Sequence, residues 1–197
     1  MTADELIRQI KNNEEYWRGL AITPQQIDVL VNLSSDEYAN VVSTLLQEPV
    51  ADYTDLRGIE YARTYAHLIY GALLLCLHPI PDLYPTLLTG TLKIGDPSSI
   101  QYGASALRKI KPVEEIVSDL FEAAEEYQDN AEILSHIAWL FYWMGFSKKG
   151  TWGRHDITLV AKDGWIELYR NVAGPETNPQ KAAGAARRVG TFMQAYY

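Results

Sequence analysis

The densest set of side chains that could do chemistry is the stretch TWGRHD, from Thr151 to Asp156. It brings together an indole, a guanidinium, an imidazole and a carboxylate. His155 and Asp156 could form an acid–base pair while Arg154 binds an anion. Neighbouring residues of a strand point to opposite faces, however, so the two would not readily cooperate. The pattern favours a loop that anchors a neighbouring element or recognises a partner.

Other catalytic and metal-binding signals are absent from the sequence. Glu132 and His136 are one helical turn apart, but two ligands do not make a metal site, and no HExxH spacing occurs. There is no GxSxG, no Walker-type loop and no dinucleotide glycine fingerprint. The single cysteine, Cys76, lies in the apolar run IYGALLLCLHPI and is expected to be a buried structural thiol. We predict no catalytic residue, no metal and no cofactor.

A row of carboxylates marks the segment from Val113 to Tyr127, which has the spacing of a helix. Glu115, Asp119, Glu122 and Glu126 follow one another at intervals of four, three and four residues, opposite an apolar stripe. Like charges at these intervals repel one another. The row is therefore either a solvated outer face or an electrostatic docking strip for a basic protein.

Aromatic residues crowd the next predicted helix. Trp139, Tyr142 and Trp143 lie within it, and Phe146 and Trp152 follow. Aromatic residues at helical spacing are usually part of a core. Any that stay exposed would anchor a partner.

The overall composition limits the partner classes. The chain has 197 residues and a formal net charge of -8, which argues against a nucleic-acid binder and favours a partner with basic patches. The start of the chain has early acidic residues and no apolar block of a secretory signal. The longest apolar run, Leu68 to Leu77, is about half the length that a membrane span requires. We expect a cytoplasmic protein with no membrane partner.

The elements that must position these residues are predicted to be mainly helical. Thr23 with Pro24, and Ser34 or Ser35, have the residue types that begin helices. A long helix is predicted over Asp55 to Leu77. Two helix pairs follow, within 82–110 and 113–146. Aligning Asp96 with Asp129 superimposes the apolar residues of the second helix of each pair, from Ile100 over Ile133 to Ile110 over Trp143, at one constant offset. Such a fixed period is typical of stacked helical repeats.

Over residues 82–146 this pattern resembles the HEAT-repeat family. The resemblance rests on a leucine-rich first helix, a turn with Asp96 and Pro97, and a second helix with small residues that ends in Leu107 and Ile110. It implies a short α-solenoid. The second unit departs from the family pattern, with Asn130 in place of proline and aromatic residues in place of alanines. Hydroxylases that resemble this fold hold a di-iron centre with His-Glu dipeptides, and none occurs here. An irregular helical bundle is the alternative.

The chain changes character after residue 145. HDITLVAKDGWIELYRN contains Asp163-Gly164 between two β-prone runs, which predicts a β-hairpin. Asn178 and Pro179 are expected to begin a final helix that runs towards Tyr196. The predicted architecture is thus mainly α: a HEAT-like helical array over 1–147, with a hairpin and a final helix over 148–197 packed on it as one compact unit.

Three functions are compatible with these observations. The first is a non-enzymatic protein–protein interaction module; one version of it is an immunity-type inhibitor of a basic bacterial toxin. The second is an enzyme or small-ligand-binding protein with a site near Arg154, His155 and Asp156. The third is a homodimer or a subunit of a larger complex. The predicted partner-binding residues are Glu115, Asp119, Glu122, Glu126, Trp139, Trp143, Trp152, Arg154, His155 and Asp156.

Overall fold

The computed structural model describes residues 2–11, 23–47, 66–144, 146–148, 160–162, 165–167, 188–189, 191–193 and 195–196. These residues are mainly helical, which confirms the predicted fold class at that level. The helices with defined bounds are α1 (Ala3–Lys11), α2 (Pro24–Leu30), α3 (Ser35–Gln47), α4 (Ala66–Leu77), α5 (Tyr84–Ile94), α6 (Pro97–Ile110), α7 (Val113–Glu126) and α8 (Ala131–Trp143). A short 3-10 helix, Pro81–Leu83, precedes α5.

The backbone divides into two compact units, unit 1 (Met1–Ala106) and unit 2 (Leu107–Tyr197). The boundary between them falls within α6. The predicted division, an array over 1–147 and an appendage over 148–197, has a different boundary from that between the two units, and it stays a prediction.

Reciprocal side-chain caps begin two of the helices of unit 1. The Thr23 hydroxyl accepts a hydrogen bond from the Gln26 amide, and the Gln26 side chain accepts one from the Thr23 amide. Ser34 and Glu37 form the same arrangement before α3. Each box satisfies amides that the first helical turn leaves without partners. The predicted starts at Thr23 and Ser34 are therefore confirmed.

The described core of unit 1 is built around α3 and α4, which pack against each other. Val41, Val42 and Leu45 of α3 are fully buried. From Leu68 to Leu75, α4 is buried on nearly its whole circumference, as its apolar composition predicts. Tyr38 adds a polar link, because its hydroxyl donates a hydrogen bond of 2.7 Å to the Leu74 carbonyl. The part of the predicted long helix before residue 66 lies outside the described residues.

Small residues let α5 and α6 approach closely. Thr91 is fully buried, and its hydroxyl donates to the Leu87 carbonyl at 2.7 Å. A Cβ atom added at Gly103 would overlap the Thr91 hydroxyl and lie 2.7 Å from its methyl carbon. The contact therefore requires glycine at this point of α6, because no side chain fits between the helices.

The helices of the two pairs do not all begin at one constant offset along the chain. Their first helices, α5 and α7, begin closer together along the chain than their second helices, α6 and α8, do. The reason is that α7 has 14 residues against 11 in α5, and the loop after α7 is also longer. The solenoid stays a prediction.

The caps of α6 and α8 do not lie at aligned positions. The Asn130 side chain accepts a hydrogen bond from the Ile133 amide at the start of α8. The Asp96 side chain accepts hydrogen bonds from the Ser98 and Ser99 amides at the start of α6. The alignment of Asp96 with Asp129 therefore does not superimpose the two caps.

Unit 2 places aliphatic and aromatic side chains between α7, α8 and C-terminal residues. The Phe121 ring lies 5.2 Å from that of Phe141 and 5.9 Å from that of Phe192, measured between centroids. Val189 and Met193 are buried in the same unit. Residues 188–189, 191–193 and 195–196 are helical, while Asn178 and Pro179, the predicted start of the final helix, lie outside the described residues.

Three short segments of unit 2 are extended: β1 (Phe146–Lys148), β2 (Val160–Lys162) and β3 (Trp165–Glu167). Each of β1 and β2 pairs antiparallel with β3, with Ser147 and Ala161 both opposite Ile166. The turn residues Asp163 and Gly164 lie outside the described part of the chain. The hairpin as a unit, and its packing on a helical array, therefore stay predictions.

Within the described residues, no helix combines the length and the apolar character needed to cross a bilayer. The cytoplasmic location is not tested by this observation and stays a prediction.

Candidate functional site

The outer face of α7 is the best-defined candidate site. Burial of the opposite stripe orients the helix: Val113, Ile116, Val117, Leu120 and Phe121 all face the interior. Because about 3.6 residues make one turn, this stripe leaves Glu115, Glu122 and Glu126 exposed to solvent. These three residues of the predicted row therefore lie where a partner could reach them.

Asp119, the fourth residue of the predicted row, differs from the other three. It is half-buried, and its carboxylate accepts a hydrogen bond of 2.9 Å from the Lys111 ammonium group. An ion pair inside the chain thus neutralises this position. Lys111 shortly precedes α7, so the sequence contained a signal for the pair, but the spacing of the two residues is not a standard helical one.

Further carboxylates extend the charged surface beyond the predicted row. Glu125 is 80% exposed, and Asp129 and Glu132 are also exposed. Residues 112–147 contain eight acidic residues and no Lys or Arg. The rest of unit 2 has 4 acidic residues against 11 Lys and Arg residues, so the segment is a concentrated acidic region in a unit that is nearly neutral as a whole.

A cation from the C-terminal part of the chain contacts this surface. The Arg188 guanidinium carbon lies 3.7 Å from the centroid of the Phe121 ring, and one of its nitrogens lies 3.8 Å from a Glu125 carboxylate oxygen. Phe121 and Glu125 are one helical turn apart on α7. Nothing local in the sequence predicts this contact, because Arg188 is far from both residues along the chain.

The aromatic residues of α8 lie at the boundary between core and surface. Trp139, Tyr142 and Trp143 are each half-buried. Tyr142 packs edge to face against both tryptophans, with ring centroids 6.1 Å and 5.4 Å apart. The Trp143 indole N–H is buried and has no hydrogen-bond partner within the described part of the chain. Only part of each of the predicted anchors, Trp139 and Trp143, is therefore exposed for contact with a partner.

The remaining predicted site residues, Trp152, Arg154, His155 and Asp156, lie outside the described residues. The alternative of an enzyme or small-ligand site at that stretch therefore stays a prediction.

The possible metal ligands Glu132 and His136 lie on α8, where Glu132 is exposed and His136 is half-buried. Over the residues that the structure describes, no group of three or more His, Cys, Asp or Glu side chains is arranged to hold a metal ion.

Cys76 lies at the end of α4 and is half-buried, so the expected buried thiol is confirmed only in part. Tyr38 is its titratable neighbour. Burial, together with the nearby Cys76, raises the pKa of Tyr38 to about 12. The raised pKa keeps the phenol protonated to a higher pH than in a free tyrosine, so it continues to donate its hydrogen bond to the Leu74 carbonyl there.

Comparisons with known proteins do not assign this chain to a family. No family model matches it. No curated protein and no solved structure is significantly similar to it. The resemblance to HEAT repeats therefore receives no support from these comparisons and stays a prediction.

Proposed function

We propose that this protein is a non-enzymatic interaction module that binds a basic protein through the outer face of α7. One observation carries the proposal: residues 112–147 contain eight acidic residues and no Lys or Arg, although the rest of unit 2 has 11 Lys and Arg against 4 acidic residues. Carboxylates that served only for solubility would gain nothing from being collected in one segment. Collecting them costs helix stability through repulsion and gives a strong local field.

The arrangement of this face suits fast and specific association. Glu122, Glu125 and Glu126 are exposed on the last turns of α7, and Asp129 and Glu132 follow in the loop and the first turn of α8. A surface of one sign attracts a partner of the opposite sign before contact and raises the association rate. Half-buried Trp139 and Trp143 in the same unit offer apolar area that can add affinity.

An inhibitor or immunity-type protein that neutralises a basic toxin is one version of this function. Acidity and small size support that version. A HEAT-like solenoid bearing a C-terminal hairpin is the architecture that we propose around the face.

The test compares two variants with the same change of net charge. Glu115, Glu122 and Glu126 are replaced by Gln in one, and the exposed Asp4, Asp28 and Asp36 of unit 1 by Asn in the other. Each is used to capture proteins from source-cell extract at low and at high salt, with mass spectrometry of what is retained.

We expect the wild type and the unit 1 variant to retain the same basic protein at low salt. The α7 variant should lose it, since attraction between exposed charges weakens both with salt and with removal of the charges. Equal retention by the two variants would show that net charge alone, and not the α7 face, controls binding, and would contradict the proposal.

A further inference from the structure

Phe121 and Glu125 form a small site in which a guanidinium group is bound on two sides. The ring of Phe121 offers its face to Arg188 at 3.7 Å, and the Glu125 carboxylate lies 3.8 Å from the same group. Phe141 and Phe192 pack on the Phe121 ring and hold it in place. A flat cation above an aromatic face with a carboxylate beside it matches the preferences of arginine.

We propose that this pair, at the edge between the buried stripe of α7 and its exposed carboxylates, is an arginine-recognition point, that Arg188 occupies it within the chain, and that an arginine of the basic partner replaces Arg188 on binding. This inference rests on the proposed function and specifies its partner: a protein surface that presents arginine rather than lysine. Arg188 then acts as an internal competitor that restrains weak binders.

The exposure of the contact makes replacement feasible. The side chains of Arg188 and Glu125 are 59% and 80% exposed, and their separation of 3.8 Å is long for an ion pair. Exposed pairs of this kind contribute little to stability. Removing Arg188 from the ring therefore costs the fold little, whereas a partner gains the ring, Glu125 and the neighbouring Glu122 and Glu126 together.

Arginine is favoured over lysine because the site combines a ring face with a carboxylate. A guanidinium is planar and weakly hydrated, so it stacks on the ring while its edge N–H groups remain free for the carboxylate. An ammonium group is strongly hydrated and can satisfy only one of the two contacts well. If the protein recognised its partner by charge alone, it would bind arginine and lysine equally well.

The experiment uses two alanine-based helical peptides that are identical except that one carries four arginines and the other four lysines. Their affinities are measured by titration calorimetry at low salt for the full chain and for three variants: Arg188→Ala, Arg188→Lys and Lys109→Ala. Lys109 is an exposed cation in unit 2 and controls for the change of net charge. Circular dichroism verifies that each variant is folded.

We expect Arg188→Ala to bind the arginine peptide about 3- to 10-fold more tightly than the wild type does, with a smaller gain for the lysine peptide. Arg188→Lys, which keeps the charge but loses the stacking, should show a gain of the same sign. The Lys109→Ala variant should raise the affinity for both peptides equally and only slightly.

Three results would overturn the inference. If Arg188→Ala binds both peptides more tightly by the same factor, Arg188 acts only through its charge, and the proposed function is unaffected. If neither Arg188 variant changes its affinity for the peptides, Arg188 does not compete for the site, and the proposed function is again unaffected. If neither peptide binds any form of the protein, the inference and the proposed function both fail.

Discussion

The two units use different means to close their cores. In unit 1 the described core is mostly aliphatic, and the four buried polar or charged residues of the described chain, Gln26, His67, Thr91 and Ser99, all belong to it. In unit 2 the rings of Phe121, Phe141 and Phe192 meet one another. Unit 1 thus depends on close backbone approach and local hydrogen bonds, whereas unit 2 depends on the volume of aromatic side chains.

The charges of the two units are also arranged differently. Unit 1 has 13 acidic residues against 6 Lys and Arg residues, whereas unit 2 has 12 against 11 and is nearly neutral. Eight of the 12 acidic residues of unit 2 lie in residues 112–147, which contain no Lys or Arg. A core held by large rings tolerates a strongly charged outer face, because burial of the apolar stripe outweighs the repulsion between neighbouring carboxylates. Unit 2 thus separates its acidic from its basic residues along the chain, and this separation supports the proposed binding face on α7.

Removal of a central ring should have the largest effect. Phe141 is fully buried, so Phe141→Ala is expected to lower the free energy of unfolding by about 3–5 kcal/mol. Phe192 is only half-buried, and Phe192→Ala should cost about 1–2 kcal/mol. Urea unfolding followed by circular dichroism measures both. Equal losses would mean that the aromatic cluster has no buried centre.

Glycine at the α5–α6 contact should give the next largest effect. Alanine normally stabilises a helix interior by about 0.5–1 kcal/mol relative to glycine. At Gly103 the added methyl group meets Thr91, so Gly103→Ala should instead lose about 1–3 kcal/mol.

Gly90→Ala is the matched control, because its Cβ would lie 3.1 Å from a flexible methyl group of Leu68. It should change the stability little. The double variant Gly103→Ala with Thr91→Ala should recover part of the loss, since it removes the atoms that collide. A stabilising Gly103→Ala would show that the helices have room to separate.

The hydrogen bond of Tyr38 gives a smaller effect that depends on pH. Tyr38→Phe removes the bond to the Leu74 carbonyl and should cost about 1 kcal/mol at pH 8. The pKa of Tyr38 is about 12 in the folded chain against 10 for a free tyrosine. Its stabilising contribution is therefore complete below pH 10 and is lost as the pH rises from 10 to 12.

The difference in stability between the wild type and Tyr38→Phe should accordingly shrink above pH 10 and vanish near pH 11. Guanidine unfolding of both proteins at pH 8, 10 and 11 measures it, and the other ionising groups cancel in the difference. A difference that stays constant over this range would show that the phenol does not titrate as its burial requires.

Neutralising one carboxylate of α7 should change the free energy of unfolding least. Unlike the preceding substitutions, it should raise this free energy. Glu122 has like charges three and four residues away at Glu125 and Glu126, so Glu122→Gln should stabilise the chain by a few tenths of a kcal/mol. Glu115 lies in the first turn, where a negative charge favours the helix dipole. Glu115→Gln should therefore stabilise less, or destabilise. Thermal unfolding at low salt compares them, and high salt should abolish the difference.

Sequence reasoning predicted those parts of the fold that depend on local chemistry. The caps at Thr23 and Ser34 need only residues three positions apart, and the buried stripe of α7 needs only helical periodicity. The cap of α8 at Asn130 was not predicted, because Asp129 and Asn130 are both good capping residues and lie next to each other. The repeat of the helix pairs stays a prediction.

The candidate site was predictable to the same extent. The periodicity of Glu115, Glu122 and Glu126 places them on the outside of α7, and the structure has them exposed. The ion pair of Asp119 with Lys111 and the contact of Arg188 with Phe121 depend on tertiary structure, which brings together residues with no fixed spacing. The nearness of Lys111 to α7 was a weak signal for the first contact, and no local pattern indicates the second.

The separation of charge within unit 2 also determines how the molecule behaves at a distance. Residues 112–147 carry a charge of -8, and the rest of unit 2 carries +7. Over a Debye length of about 8 Å, the acidic segment attracts a positively charged surface although unit 2 as a whole is nearly neutral. Retention on an anion exchanger should therefore depend on the glutamates of α7 as well as on the acidic residues of unit 1.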